Sequence, residues 1–239
     1  MLLLSLLLCA ILFAQRPGEV FQVSTLDALS QGIFEGSMSF SELRGHGDFG
    51  LGTFDALDGE MIALDGSFFQ AHSDGTVSRV ENDATTPFAV ITKFKSSQSF
   101  TITGPATQQQ AFAAIDKMLP SNNYFYAVKI HGDFVYVTAR SVPRQFKPYP
   151  TLADAIAMEA IFPLQNIRGT MVGFRSPAFV KGINQTGYHF HFISDDRKSG
   201  GHALDFEIRD AVVEIETVRQ QSTYLPDNQP FRVALLPLP

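Results

Sequence analysis

The alternation of apolar and polar positions divides the chain into a series of short elements. In residues 25–43, TLDALSQGIFEGSMSFSEL, Leu26, Leu29 and Ile33 recur at helical spacing and predict one or two short helices. From Phe49 to about Phe94 the pattern shortens to apolar runs broken by turn residues. The stretch LDGEMIALDGSFFQAHSDGTVSRV holds three Asp-Gly pairs, each a hairpin signal. A strand, SFTITG, precedes the helix TQQQAFAAIDKML, which Pro120 closes. NYFYAVKIHGDFVYVTARSV then reads as a hairpin, two strands around a His-Gly-Asp turn.

Residues 141–150, SVPRQFKPYP, hold three prolines and predict an extended linker. A short helix, TLADAIAMEA, follows, with Thr151 as its cap. The remainder is mainly strand: GTMVGF, a histidine-rich segment, and a run from His202 to about Val218. No internal repeat is visible. Hairpins interspersed with single helices give a mixed α+β or α/β class. The proline stretch suggests two domains, residues 15–145 and 146–239.

Composition narrows the functional classes. Hydrophobic residues make up 45% and charged residues 18%, so a packed core is expected. A net charge of -6 and a pI near 5.5 argue against a nucleic-acid partner, which requires a basic footprint. The first fourteen residues, MLLLSLLLCAILFA, are apolar apart from Ser5. They are shorter than the roughly 20 residues a membrane span needs. They resemble the hydrophobic part of a secretory signal, cleaved after Ala14, although a basic start is missing. Export to a periplasmic or extracellular space is the expectation. The alternative is a cytoplasmic chain whose N-terminus forms a buried strand or helix. The only cysteine, Cys9, lies in the leader, so the mature chain would form no disulfide.

Three of the six histidines fall in GYHFHFISDDRKSGGHALDF, residues 187–206. Residues i and i+2 of a strand face one side, so His189 and His191 point together, while Phe190 and Phe192 face the core. If the next strand pairs with theirs, His202 lies beside them. Three imidazoles suit an open, catalytic metal site better than a closed structural one, and no thiolate is available. Zinc, iron, nickel and copper all fit such a ligand set. Taken singly, Glu60 reads as a solvated turn acid and Arg140 as a surface cation. His46, His72 and His131 lie in or beside turns. Asn184-Gln185-Thr186 matches a glycosylation sequon.

Three blocks, FGLGTFDALDGEMIALDGSFFQ, ARSVPRQFKPYP and HFHFISDDRKSGGHALDF, resemble the signature blocks of the alpha-acetolactate decarboxylases, in that family's order and approximate spacing. The resemblance runs over nearly the whole chain after the leader. It implies two domains, each built around a mixed β-sheet with few helices, and a homodimer. It implies conversion of 2-acetolactate to acetoin and carbon dioxide with one bound zinc. The zinc ligands would be His189, His191 and His202, the active-site acid Glu60, the active-site cation Arg140, and Thr53 the threonine that meets substrate. The chain departs from the family in one respect. The family carries a further glutamate on its C-terminal tail, whereas no acidic residue follows Asp227 here.

The chemistry expected on that basis is decarboxylation through a zinc-stabilised enediolate, with no thiamine or pyridoxal cofactor. Two other readings use the same residues. A cupin-like oxygenase also sets an HxH on a strand with a later histidine, and would depend on iron or manganese. A non-catalytic binding relative would hold metal without turnover.

Overall fold

Strand alternation sorts side chains onto two faces, and in this computed structural model, which describes residues 18–236, that sorting builds two large sheets with apolar layers on both sides of each, beside a two-stranded one. The expected leader and Cys9 lie outside the described residues. The chain enters on β1 (Glu19–Val23). Helix α1 (Leu26–Ser30) starts where the Thr25 hydroxyl accepts a hydrogen bond from the Ala28 amide at 3.2 Å. β2 (Met38–Ser39) leads into α2 (Phe40–Leu43), whose capping box joins Ser39 and Glu42.

β3 (Phe49–Thr53), β4 (Glu60–Leu64) and β5 (Ser67–Ala71) form a meander. The turn between β4 and β5 is Asp65-Gly66, with φ of 50° and 76°, the doubly left-handed turn that Asp-Gly favours. β6 (Val77–Arg79), β7 (Thr85–Thr86) and β8 (Ala89–Thr92) follow. β9 (Gln98–Thr107) runs directly into α3 (Gln108–Asp116), capped reciprocally by Thr107 and Gln110. Then come β10 (Phe125–Ser141), α4 (Leu152–Ile156), β11 (Ala160–Ser176), β12 (Gly187–Ser194), β13 (Gly200–Val218), β14 (Gln220–Tyr224) and α5 (Gln229–Val233).

The first sheet has seven strands in the order β14-β1-β8-β3-β4-β5-β6. It is mixed: β1 and β14 are parallel and the remaining pairs antiparallel. The second sheet has five strands, β10-β11-β12-β13-β9, all antiparallel, and β13 also pairs with β10. The class is therefore sheet-rich mixed α+β, as the pattern predicts. The sheets do not divide at residue 145. The second sheet takes β9 and β10 from before that point, and the first takes β14 from after it.

The expected His-Gly-Asp hairpin is a single strand. β10 runs unbroken through His131, Gly132 and Asp133. Gly132 serves close approach rather than a turn: a Cβ there would lie 2.2 Å from the Asp210 carbonyl oxygen and 2.6 Å from Ala211 Cα on β13. The proline stretch 141–150 is irregular, as expected, but it is packed. Gln145 donates its amide to Ala56 O at 2.8 Å, and Val142 O accepts from the Gly59 amide at 3.0 Å.

Three apolar layers result. Val20, Leu51, Ile62, Val172, Phe174 and Ile193 fill the space between the two sheets. Met61 and Ala63, the alternate residues of β4, pack with Phe40 and Leu43 on the outer face of the first sheet. Phe190 and Phe192 pack with Phe134, Phe206 and α3 on the far face of the second. On β12 this alternation turns His189 and His191 toward the layer between the sheets, with Ile193.

Candidate active site

β12 and β13 place the histidines. His191 and His202 are directly paired across the two strands, and His189 lies two residues along β12 on the same face. The three ring centroids form a nearly equilateral triangle with sides of 5.2, 4.9 and 5.3 Å. One ligand atom from each lies within 4.8 Å of the others. His189 Nε2 and His202 Nδ1 are 3.2 Å apart. Two nitrogens bound ~2.05 Å from one tetrahedral ion would lie roughly 3.3 Å apart, so this spacing fits a metal.

Protonation state also fits. Burial lowers His189 to about 4, with Arg140 adding to the effect. Burial, reinforced by the neighbouring imidazoles and by Arg140, holds His191 and His202 well below the ordinary histidine range. All three are thus neutral at pH 7 and offer lone pairs. His191 Nδ1 donates to the Met61 carbonyl at 2.8 Å, leaving Nε2 for the cavity.

Glu60 comes from the facing sheet. It opens β4 beside Met61, is only 7% exposed, and sets Oε2 3.4 Å from His191 Nε2. Burial raises its pKa to about 7; Arg140 pulls it down and Glu159 pushes it up. Thr53, paired with Glu60 across β3 and β4, is buried and donates its hydroxyl to Gly59 O at 2.7 Å. Arg140, near the end of β10, pairs with His202 in the β10–β13 register. Its Nη1 donates to Glu159 Oε2 at 2.8 Å, with the two side chains 13% and 19% exposed.

One cavity of ≈ 150 Å³ gathers Thr53, Glu60, Arg140, His189, His191 and His202. Its other walls are apolar, from Leu29, Leu57, Phe88, Val142 and Ile156, with Gln185 as a further polar group. All six candidate residues therefore converge. Of the two that taken singly read as solvated, Glu60 is buried and Arg140 is half-buried. Glu159, which the sequence does not single out, contacts Arg140 without lining the cavity. Lying at the tail of TLADAIAMEA, it looked like the end of a helix, and only the register of β10 and β11 brings it to Arg140. The sequon residue Asn184 is 3% exposed, and its Nδ2 is buried without a partner, so it presents no acceptor amide at the surface. His131 lies within β10 rather than at a turn, whereas His46 lies in the turn after α2, where it stacks on Phe21.

The cavity combines a three-nitrogen cation site, an acid with a neutral-range pKa and an anchored guanidinium. That set can bind a small anionic molecule, oppose charge developing on its oxygens and exchange a proton with it.

The family model described as alpha-acetolactate decarboxylase matches residues 20–237. The alpha-acetolactate decarboxylase of Methanosarcina mazei is 49% identical over 201 residues, covering 83% of this chain and 70% of that protein. The Bacillus subtilis enzyme is 41% identical over 217 residues, covering 91% and 85%. The crystal structure of alpha-acetolactate decarboxylase from Bacillus subtilis strain 168 superposes with a TM-score of 0.91, covering 92% of this chain and 94% of that one.

Proposed function

The chain belongs to the alpha-acetolactate decarboxylase family, and from that premise we propose that it converts 2-acetolactate to acetoin and carbon dioxide in the cavity between its sheets, with zinc as the cation. The observation that carries this reading is the convergence of three neutral imidazoles, Glu60 and Arg140 on one small cavity.

His189, His191 and His202 would hold the metal. When bound there, it supplies a Lewis acid beside the substrate oxygens. Arg140 receives the substrate carboxylate and orients the bond that breaks. Loss of carbon dioxide leaves an electron pair on the carbon that carried the carboxylate. That carbon adjoins the ketone, so the pair delocalises onto the ketone oxygen, and a proton returned to carbon completes acetoin. Glu60 faces this region and holds or passes the proton of the substrate hydroxyl, a role that suits a carboxyl able to exist in either form near neutrality. Thr53 keeps its own proton on Gly59 O and so offers substrate an acceptor oxygen. The apolar walls suit the two methyl groups and exclude water from the reacting carbon.

The deciding experiment is acetoin release from 2-acetolactate, with and without added zinc, against spontaneous decay. Zinc-dependent release above that background is expected. A folded, zinc-loaded protein that releases none would sink the reading.

A further inference from the structure

Arg140 has a single hydrogen bond from its guanidinium, Nη1 to Glu159 Oε2 at 2.8 Å. Its Nε is buried with no partner. It makes no ion pair with Glu60, although both line the cavity and each side chain is largely buried. Glu159 reaches it from a defined place. It is the residue between the turn that ends α4 and the start of β11, where Ala160 pairs with Ser141 and Ile161 with Arg140. The same turn of chain brings Ile156 of α4 to the cavity wall.

A guanidinium carries five N–H donors in a rigid plane. With Nη1 committed and Nε closed in by neighbouring atoms, its free edge is Nη2, a charged donor that can meet a carboxylate. Glu60 supplies the carboxylate among the residues that line the cavity. A released Arg140 would pair with it, since an unpaired buried cation is costly. That pairing would take the acid out of service and turn the free edge away from substrate.

We propose that Glu159 is a positioning residue: it holds Arg140 by Nη1, so that Nη2 is presented to the substrate carboxylate and Glu60 stays free of the guanidinium. The inference rests on Arg140 as the carboxylate's partner, but its test has an arm that does not.

The test is a cycle of Glu159→Ala, Arg140→Ala and the double variant, with Glu159→Gln alongside. Zinc content and melting temperature are measured for each. Glu159→Ala should raise KM and lower kcat/KM on the order of tenfold, the loss of one charged hydrogen bond. Glu159→Gln keeps an acceptor oxygen and should retain most of the activity. In the Arg140→Ala background, Glu159→Ala should change kcat/KM by less than about twofold, because the group it positions is gone. Losses that simply multiply would overturn the proposal, since they would mean that Glu159 acts only through packing. The second arm is ¹⁵N NMR of the arginine side chains, with the Arg140 signals assigned by their absence in Arg140→Lys. Restricted guanidinium rotation in the wild type, relaxed in Glu159→Ala, is expected. Unchanged Arg140 signals in both Glu159 variants would refute positioning whether or not the wild type releases acetoin. If the signals change and the wild type releases none, the substrate assignment fails and the positioning role stands.

Discussion

His191 donates its Nδ1–H to the backbone carbonyl of Met61 across the gap between the two sheets. A carbonyl can only accept, so the proton must sit on Nδ1 and the lone pair on Nε2. One residue earlier on the same strand is Glu60. A two-residue stretch of β4 thus sets both the tautomer of a proposed metal ligand and the position of the proposed acid. We predict that His189→Ala, His191→Ala and His202→Ala each lower metal affinity and acetoin release by at least on the order of 100-fold, since even the groups that support ligands are worth 10–100-fold. Zinc content of the dialysed variants checks this, and one variant that retains full metal and rate would leave the ligand set.

Glu60→Gln should keep its metal and its fold. The rate should fall by about 10²–10⁴-fold, the usual contribution of a positioned acid or base. Steady-state kinetics alongside zinc analysis separate the two effects. A rate within a few-fold of wild type would deny Glu60 a part in proton transfer.

Replacing Arg140 by Lys keeps the charge and discards the planar fork. The expected loss in kcat/KM is about 10–100-fold, from a charged hydrogen bond worth ~1.5–3 kcal/mol. Near-normal kinetics would rule out two-point contact with the carboxylate.

Stability should depend on pH through His46, which stacks on Phe21 with ring centroids 3.6 Å apart. Burial lowers its pKa, opposed by Glu19 and Glu42. The unfolded chain therefore takes up a proton near pH 6.5, before the folded protein does. The contribution of His46 is present above that value and is lost as pH falls through the depressed folded one. His46→Phe keeps an aromatic ring and removes the titration. Between pH ~7 and ~5 the denaturation midpoint of this variant should improve relative to wild type. A constant difference across that range would mean that His46 does not couple folding to pH.

Gly132→Ala should destabilise the protein by about 1–3 kcal/mol, because its methyl group would meet the Asp210 carbonyl on β13. Denaturant unfolding measures it. A neutral effect would mean that β10 and β13 can separate at this point without cost.

The period of two was legible. It placed β4 and β12 and turned His189 and His191 to one side, while Phe190 and Phe192 took the other. Asp65-Gly66 announced its own turn. What the alternation cannot carry is which strand pairs with which. The linker at 141–150 looked like a boundary, yet β9 and β10 cross into the second sheet and β14 returns to the first. Gly132 looked like a turn because glycine serves both turns and close strand contacts. Glu60 meets His191 of β12, far along the chain, and Arg140 meets Glu159 just before β11. Their roles came into view only through the resemblance of whole blocks, and Glu159 lay outside those blocks.

The parallel pairing of β1 with β14 joins Glu19 to Gln220. A chain emerging from the ribosome holds its first strand ready long before the partner exists. The cavity has the same history, because Thr53 and Glu60 are made early and the histidines late. Binding competence should therefore arrive near the end of assembly. In refolding, metal uptake should lag behind the gain of strand signal by circular dichroism, as loops of this span close slowly. Equal rates for the two signals would show instead that the ligands gather before the sheets are complete.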